Sequence, residues 1–288
     1  MHYYPLILRK NHKYQVLVLP DDVTFNAETI RRVKAHLTAG KAVISSGISG
    51  MNPEKTQFVM ESEWGIQFKK ECDFDPAYFA IDKNFNKDLP VMPLSLYSSG
   101  IEVQTLPGTS MEACLVKPYY NRHWDGEHAF YYNPPDKVTD NPALTVCGKV
   151  AHFSHRIFSG YNCQASVELR QVFANVLNHF LPNALLKTEN LPSFARAFVT
   201  EQPGRRIVHI LSYVPELRGE KTEMIEEAIP ILNAKLALRT DGETIKRIYM
   251  APEGKALKTE NHDGYTHVNI PLIKGYAVVI FESFPESV

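Results

Sequence analysis

The chain has 288 residues, more than one ordinary domain holds, so two domains are expected, each able to bury its own core. Its 44% hydrophobic and 22% charged residues are an ordinary globular balance, and no run approaches the ~20 apolar residues that span a bilayer. Lys and Arg number 31 against 32 Asp and Glu, leaving a formal charge of -1 and no basic block, which argues against nucleic acid or a membrane as a partner. The opening MHYYPLILRKNHKYQVLVLP lacks a basic start, an apolar run and a small-residue cleavage site, so no secretory leader is read and the cytoplasm is the expected compartment. Cys72, Cys114, Cys147 and Cys163 are widely spaced and form no C-x-x-C. They are expected to be buried free thiols, with no metal and no cofactor.

The first element is Tyr14–Pro20, YQVLVLP, a continuous apolar run suited to a parallel strand buried on both faces. Asn26 then caps a helix with Glu28 in its first turn, Ile30, Val33 and Leu37 on one face, and Gly40 as the stop. KAVISS at Lys41–Ser46 supplies a second strand, so the first fifty residues predict a β-α-β unit with parallel strands. Pro53 at a first helical position, after Asn52 and before Gly65, predicts a helix containing Phe58, Val59 and Trp64. From Ile66 to Tyr120 alternation and frequent Pro and Gly favour strands.

The segment from Pro118 to Asp136 is aromatic, histidine-bearing and turn-rich, and it reads as a long surface loop, the kind that carries function. ALTVCGKVAHFSHRIF gives two strand-like runs about Gly148. A helix starting near Ser166 follows, with Leu169, Val172, Phe173, Val176, Leu177 and Phe180 in helical period until Pro182. Beyond KTENLP the composition shifts to seven or so short alternating segments separated by PGRR, TDGE, PEGK, HDGY and KG, which predict a small antiparallel β-sandwich. The domains are placed at 1–189 and 190–288.

No catalytic motif stands out. SSGISGM at Ser45–Met51 lacks the G-x-S-x-G order of a nucleophile elbow, and GIEVQTLPGTS lacks both glycine-rich phosphate patterns. His152 and His155 would point to opposite faces of a strand, which disfavours chelation. His123 and His128, with Asp125 and Glu127 between them, could converge only if their loop folds back. The binding or interface candidates are Tyr119, Tyr120, Arg122, His123, Trp124 and His128. Aromatics with Arg are the composition of protein interfaces, and aromatic faces also stack on sugars. A packed aromatic mini-core is the alternative for the same residues.

The order of these features resembles a known family. YQVLVLPDDV, a helix and AGKAVISSGISG are similar to the start of the class I glutamine-amidotransferase-like domain, called the trimerisation domain, that follows the catalytic barrel in bacterial β-galactosidases. GIEVQTLPGTSMEACLVKPYYNR, NPPDK, GKVAHFSHRIFSGY, RRIVHILSYVPELRG, APEG and VNIPLIKGYAVVIFE resemble the C-terminal half of glycoside hydrolases related to those enzymes. The resemblance implies a flavodoxin-like α/β domain followed by a small all-β sandwich. It also implies a homo-oligomer, a trimer in that family, and a carbohydrate context. Catalysis there belongs to glutamates on an upstream barrel, which needs about 250 residues of its own. No elbow cysteine is present, so no glutaminase residue carries over. The expected role is therefore oligomerisation and shaping of a neighbouring active site, with a carbohydrate-binding module as one alternative. A stand-alone hydrolase using His123, Asp125, Glu127 or His128 is the other.

Overall fold

The computed structural model describes residues 14–130 and 132–283. Tyr131 and residues 1–13, the larger part of the stretch on which the leader reading falls, lie outside them. The chain divides into two compact units, Met1–Pro182 and Asn183–Val288. The division falls a few residues before the expected 189/190 boundary, because the strand Leu186–Glu189 pairs with Pro230–Arg239 of the second unit.

In the first unit the elements run β1 (Val16–Leu19), α1 (Ala27–Thr38), β2 (Ala42–Ser46), α2 (Glu61–Trp64), β3 (Ile66–Glu71), β4 (Ala77–Ile81), β5 (Leu94–Leu96) and β6 (Ile101–Thr105). They continue with β7 (Ser110–Pro118), β8 (His123–Trp124), β9 (Ala129–Phe130), β10 (Pro135–Cys147), β11 (Val150–Phe153), α3 (Ile157–Gln164) and α4 (Val167–Phe180). Among the described residues seven strands form one sheet in the order β1-β2-β11-β10-β7-β4-β5.

The β-α-β opening is present: β1 and β2 are parallel, and β11 joins β2 in parallel on its other side. The remaining ladders, β11 to β10, β10 to β7, β7 to β4 and β4 to β5, are antiparallel. The sheet is therefore mixed and this unit is mostly β, where a doubly wound parallel sheet was expected. Its parallel part is covered on both sides, which is why β2 is buried throughout, apolar at Ala42–Ile44 and with its two terminal serines hydrogen-bonded. Ile44 and Ala151 pack with Leu169, Val172 and Val176 of α4, whereas Val43 and Val150 pack with Val33 of α1. Burial of such side chains, worth roughly 1.5–3 kcal/mol each, holds the layers together.

Two local readings are corrected. The helix expected after Pro53 is reduced to the single turn α2. Asn52 instead closes a turn, its Oδ1 accepting from Thr56 N at 2.8 Å, and Met51 bridges to Phe58 across it. The run at His155–Phe158 is not a strand continuation but leads into α3, a helix the sequence did not advertise. The cysteines are free, but none is fully buried, and Cys163 is exposed.

The second unit runs β12 (Leu186–Glu189), β13 (Arg196–Gln202), β14 (Arg205–Leu211), β15 (Glu216–Leu217), β16 (Glu223–Met224) and β17 (Pro230–Arg239). It ends with β18 (Ile245–Ala251), β19 (Lys255–Ala256), β20 (Thr259–His262), β21 (Tyr265–Lys274) and β22 (Tyr276–Ser283). Among the described residues these give a nine-stranded antiparallel sheet with the path β12-β17-β21-β22-β14-β13, β18 and β20 adding to β22 and β21. β21 and β22 share only the hairpin pair Lys274 and Tyr276. The sheet curls there, and its two halves close over one core that includes Leu236, Leu238 and Ile270 from one side and Val208, Val279 and Phe281 from the other.

Candidate functional site

The aromatic segment between β7 and β10 is built from its base upward. Asn133 is buried and donates from Nδ2 to the Tyr120 carbonyl, while its own carbonyl accepts from Tyr78 Oη at 2.5 Å. Tyr120 Oη donates to the Tyr132 carbonyl at 2.6 Å. Asn121 ties the segment to the start of β4: its Nδ2 donates to Asp73 O at 2.7 Å and its Oδ1 accepts from Asp75 N at 3.0 Å. Arg122 adds an ion pair to Asp75 at 2.5 Å and lays its guanidinium 5.2 Å from the centre of the Tyr97 ring. The segment thus has two short strands of its own, β8 and β9, and a fixed base.

Its tip turns through Asp125, whose Oδ1 accepts from Glu127 N at 2.8 Å and His128 N at 2.6 Å. Those backbone donors, His128 first, hold the Asp125 carboxyl below the usual range. His123 lies flat on Phe130, with ring centres 4.5 Å apart, and Tyr120 meets Phe130 edge-on at 5.9 Å.

The predicted residues therefore separate into two groups. Tyr120 and His123 spend their polar or π faces inside the segment, and Arg122 spends its guanidinium on Asp75 and Tyr97 at its base, where all three hold its shape. Tyr119, at 70% exposed, and Trp124, at 62%, present rings to solvent, as does Tyr132 at 94%. His128 pairs with Asp125 at 3.4 Å. It and His123 flank Phe130, and among the described residues no group of three or more His, Cys, Asp or Glu is placed to hold a metal.

A second polar constellation lies at the carboxyl ends of β1, β2 and β11. Sheets of parallel strands bind ligands at that end. Asp21, 5% exposed and in the left-handed region at φ 52, directs its carboxylate at the start of α3. Its oxygens accept from Ser159 N at 2.7 Å, Ser159 Oγ at 2.6 Å, Phe158 N at 3.3 Å and Ser46 Oγ at 2.7 Å. Arg156, at the cap position of α3, makes no side-chain cap, so Asp21 does that work from the far end of the unit. Gly47 keeps the space clear: at φ 57, a Cβ on it would stand 2.7 Å from the Asp21 carbonyl.

Beside it Ser45 Oγ lies 2.9 Å from His152 Nδ1, a Ser-His contact that no sequence spacing announces because the residues are 107 apart. Both are sealed, at 0% and 1% exposed, and His152 meets the Phe58 ring edge-on at 5.2 Å. Desolvation holds the imidazole down at about 3, too weak a base to activate a hydroxyl. The pair is core structure.

No protein-family model matches the chain, and no curated protein matches it. Among solved structures it is similar to alpha-L-fucosidase isoenzyme 2 from Paenibacillus thiaminolyticus, with a TM-score of 0.84 and 24% identity over 94% of this chain and 41% of that one. It is also similar to the cold-adapted beta-galactosidase from Rahnella sp. R3, with a TM-score of 0.54 and 12% identity over 93% of this chain and 32% of that one. The chain spans less than half of either enzyme. At these identities the likeness is one of fold.

Proposed function

We propose that the chain acts as a non-catalytic portion of a glycoside hydrolase, serving self-association and presenting its aromatic segment to the rim of a neighbouring active site. One observation carries this reading: almost the whole chain matches 41% of a fucosidase and 32% of a galactosidase, so in both a larger remainder lies outside the matched part. The sealing of Asp21, Ser45 and His152 supports it, since the end of the sheet where chemistry is usually placed is filled by the chain's own side chains. We read the first unit as a flavodoxin-like, glutamine-amidotransferase-like layer whose far edge has become antiparallel. The parallel β1-β2-β11 core, with helices on both faces, supports that. Four free cysteines support a reducing, cytoplasmic setting. Among the described residues no helix is long and apolar enough to cross a membrane.

The test pairs two measurements. Sedimentation of the purified chain at high micromolar concentration is expected to show an oligomer, a trimer on the family analogy, and a strict monomer would refute the assembly role. Nitrophenyl α-L-fucoside and β-D-galactoside are expected to pass unturned. Turnover lost on replacing His128 or Asp125 would overturn the non-catalytic reading. A second reading, sugar stacking on the segment itself, is favoured by the exposed rings of Tyr119 and Trp124. Heat on titration with galactosides, abolished in Trp124→Ala, would select it.

A further inference from the structure

The second unit carries a trough of about 590 Å³ on the outer face of β12, β17, β21 and β20, within the size range of small-ligand sites. Strand register explains the hollow. Lys187, Ala237, His267 and Glu260 are aligned partners across the four strands and project to one side, while their neighbours Leu236, Leu238 and Val268 enter the core. Ala237 contributes only a methyl group in the middle of that row, so the floor is low between two long side chains. The next row brings Glu189, Lys235 and Asn269 together, and Lys258 and His262 complete the wall.

Its polar groups are already ordered. Lys187 Nζ sits 4.3 Å from the centre of the Tyr265 ring, Lys235 Nζ lies 3.1 Å from Glu189, and the His262 and His267 rings stack at 3.7 Å. His267 Nε2 is buried and has no hydrogen-bond partner among the described residues. A buried polar atom left in that state is costly unless a partner supplies the bond.

We propose that this trough is a binding site for a carboxylate-bearing oligosaccharide, a uronic-acid glycan, with the carboxylate between Lys187 and Lys258 and the ring hydroxyls on Asn269 and Glu260. The donor set selects that chemistry. Lys187 and Lys258 favour an anion, Lys235 being paired with Glu189. Two carboxylates and an amide on the same wall would repel a bare polyanion yet accept and donate bonds to hydroxyls, so the partner is both acidic and polyhydroxylated. The site stands on the second unit alone and goes beyond the role proposed for the chain as a whole.

Calorimetric titration of the full chain with trigalacturonate, a sulfated trisaccharide and maltotriose tests it. Trigalacturonate is expected to bind with a salt-dependent affinity and maltotriose to give no heat. Lys187→Gln is expected to weaken binding about tenfold, the loss of one charge-assisted contact. Ala237→Leu, which fills the floor, is expected to abolish it with the melting temperature unchanged. Should Ala237→Leu fail to fold, Lys187→Gln decides alone. Absence of trigalacturonate binding, equal heat from maltotriose, binding of the sulfated sugar only, or full affinity in Lys187→Gln would each overturn the proposal.

Discussion

Replacing Asp21 isolates the contact that closes the carboxyl end of the parallel strands. Asn keeps the size of the side chain and suits the left-handed backbone at φ 52, so Asp21→Asn changes acceptors and little else. The carboxylate takes four donors, Ser46 Oγ, Phe158 N, Ser159 N and Ser159 Oγ. An amide can serve the donors on one of its two positions and turns N–H against those on the other. Losing two charge-assisted bonds at a site 5% exposed costs about 2–3 kcal/mol after partial rearrangement. Asp21→Ala strands all four donors and places a Cβ residue without a side-chain acceptor at positive φ, for about 4–5 kcal/mol. A domain of this size loses roughly 2–4 °C per kcal/mol, so the first unit should melt about 4–12 °C lower in Asp21→Asn and lower still in Asp21→Ala. Scanning calorimetry reads this directly. Ser159→Ala, which removes one donor, should cost less alone and add little on top of Asp21→Asn, because the two share a contact. An Asp21→Asn melt within a degree of the parent would refute the reasoning.

The remaining predictions concern separate parts of the first unit. Desolvation depresses His152 to about 3 and His155 to about 4, so both are neutral in the fold and gain protons on unfolding. Their stabilisation is present above the unfolded value near 6.5 and is lost as pH falls from there toward 4. Urea melts should therefore lose about 4 kcal/mol between pH 7.5 and 5, and a flat profile would count against burial of these rings. Gly100 and His155 form an isolated antiparallel bridge, and Gly100→Ala should destabilise by several kcal/mol, since a Cβ there would stand 2.4 Å from the His155 ring; a chemical-denaturation midpoint equal to the parent's would show that this bridge yields. In timed alkylation followed by mass spectrometry, Cys163 should label first, being exposed, and Cys72 last, its thiol pushed up to about 11 by burial. Early labelling of Cys72 would mean that the β3 to β4 region opens.

What the sequence revealed follows from how far each signal reaches along the chain. Helix α1 was legible because its cap is local, Asn26 Oδ1 accepting from Thr29 N at 2.9 Å, and α4 likewise, with Ser166 Oγ accepting from Leu169 N at 3.2 Å. β1 and β2 were legible because strands of a covered parallel sheet read as near-continuous apolar runs, Val16–Leu19 and Ala42–Ile44. Helix α3 was not, since its cap is Asp21, 138 residues away from Ser159, and nothing near Arg156 marks a start. The mixed direction of the sheet was equally hidden. β10 carries Pro142 and several register shifts against β7, so its alternation is broken where pairing direction would have been read. The six candidate residues of the aromatic segment were found by composition, but composition did not distinguish rings spent on the scaffold, such as His123 on Phe130, from rings left outside, such as Trp124. The trough in the second unit was invisible because Lys187, Ala237 and His267 become neighbours only through register.

The sealed end of the parallel strands has a physical logic. At the carboxyl end of parallel strands the start of a following helix offers unpaired N–H groups, and in ligand-binding α/β proteins an anion from outside satisfies them. In this chain a side chain on the β1 end satisfies them from within, with Gly47 allowing the close approach and Ser46 bracing the carboxylate. Binding an anion there would require Asp21 to leave, stranding a buried carboxylate as well as its donors. That cost makes the end of the sheet a fixed joint. The surfaces left open to solvent are the rings of Tyr119, Trp124 and Tyr132 on the first unit, and the lysine-walled trough over Ala237 on the second.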